Sequence, residues 1–300
     1  MKRHLLFLAS LLLSLVVFFA PIRAIVKLGL DDGVHSHILL IPLISGFFLY
    51  WGRKEIFSHV EYNFLVGLFV TLIACAIGLA EMLGSNRLPL SALSMWLSWI
   101  GLFICFYGFR AFRFAVFPFL FLLFMVPMPY SLVQKPVMLV LQDASGEVVN
   151  MLFFLIGVPV VRDGHIFHLP GFSIEVTDNC GGIRSGISLI ITCIIAAKLF
   201  LHTGWIRSVA VIAMFPTAIL LNGIRIVVLS VLGLYVDERL LTGDLHMDGS
   251  KAWFALSLLV VWAVIVLLRK IESRHSAAVI EQTMPETPRP KVMGANEHME

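Results

Sequence analysis

Apolar runs of close to twenty residues recur along the chain, separated by short polar stretches. About twenty such residues are what an α-helix needs to cross a ~30 Å hydrocarbon core. The pattern predicts about eight spans, near residues 5–22, 34–51, 64–84, 90–109, 114–131, 181–201, 208–223 and 250–268. The segment 136–157 is also apolar, but Gln142, Asp143, Glu147 and Asn150 crowd its middle. Acids are costly in a bilayer, so the expectation here is an interfacial or re-entrant helix.

Residues 158–177 have a different period. Asp163-Gly164 and Pro170-Gly171 are turn signals, and Phe172, Ile174 and Val176 alternate with Ser173, Glu175 and Thr177. A small β-meander is expected there, delivering the chain to Cys180. The fold class expected is therefore an all-α polytopic membrane protein, with that meander on the extracytoplasmic side. Residues 1–272 form its membrane domain, and the polar stretch 273–300, with its "PETPRP", is expected to be a disordered cytoplasmic tail.

Composition agrees with the pattern. The 300 residues are 59% hydrophobic and 14% charged, against about 25% charged in soluble domains. A net charge of +3 with no basic cluster gives no reason to expect nucleic acid as a partner. The first apolar run follows Lys2 and Arg3 and reads as a signal anchor, because many further spans follow it. Lys2, Arg3, Arg53, Lys54, Arg110, Arg113, Arg207, Arg269, Lys270 and Arg274 fall at alternate ends of the spans. They place both termini in the cytoplasm and Cys180 outside. Arg23, Lys27, Arg87, Lys135 and Arg162 oppose this bias, and a spanning 136–157 would reverse the parity of everything after it.

Cys75, Cys105 and Cys193 lie in apolar runs and are expected to pack as small hydrophobes. Cys180 alone sits in a polar stretch, "VTDNCGGIRSG". Asp178 or Asn179 can cap a helix starting there, whose positive end favours thiolate over thiol. Arg184 follows one helical turn on and adds a cation on the same face. These residues fit an activated nucleophile; they also fit a capped helix with an inert boundary thiol.

Asn222 and Arg225 share a helical face near the expected outer end of the seventh span. An arginine there is either functional or reaching for lipid phosphates. His246 lies in a predicted outer loop, "DERLLTGDLHMDGSKAW", so parity puts Cys180, Arg225 and His246 on one side of the membrane. The stretch "DDGVHSH" gathers Asp31, Asp32, His35, Ser36 and His37 at the outer start of the second span. No third strong ligand and no CxxC or HExxH spacing accompanies the two histidines, so no metal is assigned. Neither a nucleophile elbow nor a glycine-rich nucleotide loop is present in the sequence.

Cys180-Gly181-Gly182-Ile183-Arg184-Ser185, then Asn222-Gly-Ile-Arg225, then His246, resemble the exosortase/archaeosortase family. The resemblance extends to "SHILLIPLISGFFLYW", to "MVPMP" at 125–129 and to "GVPVVRDGHIFHLPGFSIEV". It covers most of residues 30–265. One departure is Gly181, where the family usually has serine. The resemblance implies an inner-membrane cysteine protease or transpeptidase without metal or organic cofactor. Its partners would be exported proteins bearing a C-terminal sorting tail, often with a Pro-Glu-Pro motif, with membrane lipids around it and a possible link to exopolysaccharide export. Cys180 would be the nucleophile, Arg225 the oxyanion partner and His246 the acid and base. Arg184, Asn222, Asp178 and His37 would support the site or bind substrate, Arg184 by helping the thiolate or by holding an acidic motif residue. Two rival readings keep the polar residues but change the chemistry: a transporter or lipid-handling channel lined by Arg225 and Asn222, and a membrane acyltransferase working through Cys180.

Overall fold

The computed structural model describes residues 2–83, 88–176, 183–236 and 244–283. Side chains are described over these ranges except at 82–83, 130–131, 183–184, 244–251 and 276–283. In chain order the helices are α1 (Lys2–Val17), α2 (Phe19–Asp31), a 3₁₀ turn (Gly33–Leu39), α3 (Ile41–Trp51), α4 (Arg53–Ile56), α5 (Phe64–Leu83), α6 (Leu88–Leu122) and α7 (Lys135–Ile156). The strands β1 (Val161–Asp163), β2 (Ile166–Leu169) and β3 (Phe172–Glu175) come next, then α8 (Ile183–Phe200), α9 (Gly204–Tyr235) and α10 (Asp244–Thr283).

Six described helical segments are long and apolar enough to cross a membrane, or seven with the bent pair α1 and α2 taken as one span. The expected number, about eight, is not reached on that basis. The first predicted span is broken at Phe18, where α1 and α2 meet at 72°. The apolar part of α8, Ser185–Phe200, falls short of a full crossing. Conversely, Leu132–Ile156 passes the test of length and composition, although its acids argued for an interfacial helix.

The chain forms two compact units. The first holds Met1–Glu147, Val161–His168 and Ser173–Arg184. Within it, α5 and α6 approach closely through small residues. A β-carbon on Gly101 would lie 2.8 Å from the backbone nitrogen of Thr71, and one on Gly67 would lie 2.7 Å from the carbonyl oxygen of Gly101. Lipid tails give apolar helices no hydrophobic reason to associate, so this small-residue packing is what joins them.

α6 folds back on itself at Gly108, whose φ of 87° and ψ of 170° are not helical. Trp96 Nε1 donates to the carbonyl of Phe119 at 2.7 Å, and the rings of Phe103 and Phe119 have centroids 5.0 Å apart. A straight helix would hold Trp96 and Phe119 about 35 Å apart. The two apolar segments expected at 90–109 and 114–131 are thus the arms of a helical hairpin, in which the Trp96 indole satisfies one of the last carbonyls of the second arm.

The second unit holds Val148–Val160, Leu169–Phe172 and Ser185–Glu300. Its core repeats every fourth residue on each helix: Leu189, Cys193 and Ala197 on α8, Ile206, Ala210 and Met214 on α9, Val261 and Ile265 on α10. The core burial of Cys193 fits its expected role as a small hydrophobe. Glu272 of α10 is 8% exposed at its side chain and accepts the backbone N–H groups of His202 at 3.0 Å and Thr203 at 2.5 Å. It supplies from another helix the cap that α9 lacks locally. α10 continues to Thr283, ten residues past the expected start of the tail at 273; residues 284–300 lie outside the described range.

Candidate functional site

The strands form one sheet in the order β1-β2-β3, with Asp163 opposite Ile166. The connecting residues are therefore Gly164 and His165, one position later than the Asp163-Gly164 signal suggests. Gly164 has φ of 59°, as a two-residue hairpin turn with glycine first requires. Pro170-Gly171 makes the second turn as expected, with Gly171 at φ 100°. The alternation also holds: Val176 is buried, Phe172 and Ile174 are half-buried, and Ser173 and Glu175 are exposed.

This meander meets the polar residues of α7. Arg162 Nη1 lies 2.7 Å from Glu147 Oε1, and His165 Nε2 lies 3.6 Å from Asp143 Oδ1. Gly146 leaves room for the guanidinium, since a β-carbon there would sit 3.2 Å from Arg162 Nη2. Buried Gln142 donates its side-chain N–H to the carbonyl of Val176, and the Val176 N–H donates to the carbonyl of His165 at 2.9 Å. Val176 is thus fixed on both sides, four residues before Cys180. Three of the four polar residues that made α7 look unsuited to an apolar environment, Gln142, Asp143 and Glu147, have partners in the meander or directly after it.

Cys180 and Asp178 lie outside the described residues. Arg184 is placed by its backbone in the first turn of α8 and His246 in the first turn of α10, with neither side chain described. The backbone at His246 is therefore helical, where a loop was expected. Asn222 and Arg225 also differ from expectation. α9 runs on to Tyr235, so Arg225 lies about 15 Å and Asn222 about 20 Å from its C-terminal end. They are interior to the apolar segment Gly204–Tyr235, not near its end. Asn222 is buried and Arg225 half-buried, and neither is without a partner.

His37 falls in the 3₁₀ turn, with Nδ1 3.0 Å from the carbonyl of Val34. His35 Nδ1 meets Asp32 Oδ2 at 2.7 Å, and the two imidazoles stack with centroids 6.5 Å apart. Among the described residues no three His, Cys, Asp or Glu side chains gather as a metal ion needs. Sequence reasoning missed Gln142 and His165 as contributors to the segment before Cys180. The only signal for His165 was its place after Gly164, and nothing in the sequence pairs Gln142 with Val176.

Residues 30–263, more than three quarters of the chain, match the family model described as Transmembrane exosortase (Exosortase_EpsH). The matched region includes Cys180, Arg184, Asn222, Arg225, His246 and His37. No curated protein and no solved structure matches the chain at a significant level.

Proposed function

We propose, from the premise that the chain belongs to the transmembrane exosortase family, that it is a cysteine transpeptidase or protease acting on C-terminal sorting tails of exported proteins. The observation that carries this reading is the pair Asn222 and Arg225, set one turn apart inside an apolar helix. A guanidinium is expensive in such a helix and is retained where it serves a function.

In this reading the Cys180 thiolate attacks the scissile carbonyl carbon, and the carbonyl π electrons move onto oxygen. Arg225 stabilises that oxyanion through charge-assisted hydrogen bonds. Collapse of the tetrahedral intermediate expels the amine, which takes its proton from His246, and leaves a thioester on Cys180. An incoming amine or water, deprotonated by His246, then resolves the thioester; an amine gives transfer and water gives release. Asp178, Arg184, Asn222 and His37 support the site or hold the tail. The enzyme works in the cytoplasmic (inner) membrane with its active site outward and its termini in the cytoplasm. Lipids surround it, and exopolysaccharide export is a process its substrates could serve.

The test compares tail removal by membranes holding the native enzyme, Cys180→Ala or Cys180→Ser at equal abundance. Both variants are expected to leave the tail intact, whereas Cys75→Ala processes normally. Full processing without Cys180 overturns the thioester mechanism and favours a transporter lined by Asn222 and Arg225.

A further inference from the structure

We propose that one end of the first unit, formed by the start of α1, the connection between α3 and α5 and the bend of α6, seats the headgroup of an anionic phospholipid. The inference stands apart from the reading of Cys180 and uses none of the residues assigned to catalysis.

Contacts between residues far apart in the sequence bring these three parts of the chain together, all within the first unit. His4 Nδ1 lies 2.8 Å from the Tyr107 hydroxyl. The Phe57 ring packs on both, with centroids 5.5 Å from His4 and 4.9 Å from Tyr107. The Glu61 N–H donates to the carbonyl of Tyr107 beside the bend. His59 and Phe114 stack with centroids 4.7 Å apart and planes at 12°. Each of these contacts lies within a few residues of a cation. Lys2, Arg3, Arg53, Lys54, Arg110 and Arg113 are thereby gathered at one end of the unit.

Two carboxylates, Glu55 and Glu61, accompany these six cations in the same stretches of chain. The whole protein carries a net charge of +3, so this end holds more net positive charge than the complete chain. Glu61 is taken by Arg110 at 2.8 Å. Arg3 lies over the Tyr62 ring at 4.0 Å and Arg53 over the Tyr50 ring at 3.9 Å. A ring face positions a guanidinium without neutralising it. Lys54 and Arg113 are exposed and have no ion-pair partner among the described residues. The charge that remains is complementary to an anion.

The surroundings decide for a lipid over a soluble anion. The apolar segment Gly33–Trp51 ends two residues before Arg53, and the segment Phe64–Glu81 starts two residues after Tyr62. Leu5 and Leu6 on α1, Phe64 and Leu65 on α5 and Phe109 at the bend are exposed beside the cations. Tyr50, Trp51 and Tyr62 are exposed as well, and such rings concentrate at the boundary between membrane and water. Cations, then aromatic rings, then apolar side chains match the order of a phospholipid, with its phosphate outward of its acyl chains. Guanidinium and phosphate pair through charge-assisted hydrogen bonds, and basic residues beside a span attract anionic lipid. The orientation expected from the sequence assigns this end to the cytoplasmic leaflet.

The experiment titrates phosphatidylglycerol, and in parallel phosphatidylcholine, into the full-length protein in a non-ionic detergent. It reads the thermal midpoint, which rises as a site present only in the folded state fills. Phosphatidylglycerol is expected to act at lower concentration than phosphatidylcholine, and the difference should vanish near about 1 M salt, where the Debye length is ~3 Å. Lys54→Gln and Arg113→Gln should each weaken the response to phosphatidylglycerol by about fivefold and leave the lipid-free midpoint unchanged. Arg23→Gln combined with Lys27→Gln removes exposed positive charge from α2 instead and should leave the response intact. Equal responses to the two lipids, or an equal weakening by the α2 substitutions, overturn the proposal. Inorganic phosphate and a polyglutamate peptide should produce no comparable shift; an equal response to either gives the patch to a soluble anion and rejects the lipid. The salt dependence of the native protein decides the matter if a variant folds poorly.

Discussion

The carbonyl oxygen of Glu61 occupies the space into which a side chain on Gly108 would project. The two strands of chain are also joined by the Glu61 N–H, which donates to the carbonyl of Tyr107 at 3.1 Å. With φ 87° and ψ 170°, Gly108 is in a region that only glycine adopts without strain. Gly108→Ala is therefore expected to destabilise the α6 hairpin by about 1–3 kcal/mol from strain alone, with the clash added. Thermal unfolding in detergent checks this, and an unchanged midpoint would contradict the hairpin geometry.

Glu272 is expected to matter more than its place on the last helix suggests. It is the carboxylate that receives the His202 and Thr203 N–H groups, and hydrogen bonds to a charged group contribute about 1.5–3 kcal/mol each. Glu272→Ala should lower the melting midpoint clearly, and Glu272→Gln, which keeps one acceptor oxygen, should lose less. Equal losses in both would mean that the charge, not the cap, is what counts.

Two contacts of α7 should behave oppositely. The Glu147 side chain is 71% exposed, so removing its pairing with Arg162 by Glu147→Gln should change stability by less than about 1 kcal/mol. Gln142 is buried, and Gln142→Leu strands the carbonyl of Val176 at a cost of about 1–3 kcal/mol. Comparing the unfolding midpoints of the two variants checks the pairing.

Arg225 offers a test of mechanism. If it stabilises an oxyanion, Arg225→Ala should slow processing by about 10²–10³. Arg225→Lys should recover little, because an ammonium does not reproduce the planar fork of donors. Asn222→Ala should cost less than Arg225→Ala. Rates of tail removal in membranes of matched enzyme content measure all three, and full activity of Arg225→Ala would exclude the role.

Membrane class, the positions of most helices and the meander could be read from the sequence alone. Each is encoded along the chain: apolar length sets what suits a bilayer, and Gly164 and Gly171 supply backbone that turns need. The choice of Arg225 as a candidate came the same way, as a cation in an apolar run. Its depth did not. The expected span stopped at 223, whereas α9 extends to Tyr235 because the residues beyond 223 remain helix-compatible and apolar. Tertiary structure alone decided what depends on partners far apart in the sequence. Gly108 looks like any glycine until Glu61 lies against it, and the acids of α7 look misplaced until Arg162 and His165 arrive from the sheet. The physical reason is that hydropathy is a property of each residue, whereas hydrogen-bond satisfaction is a property of pairs, and only folding chooses the pairs.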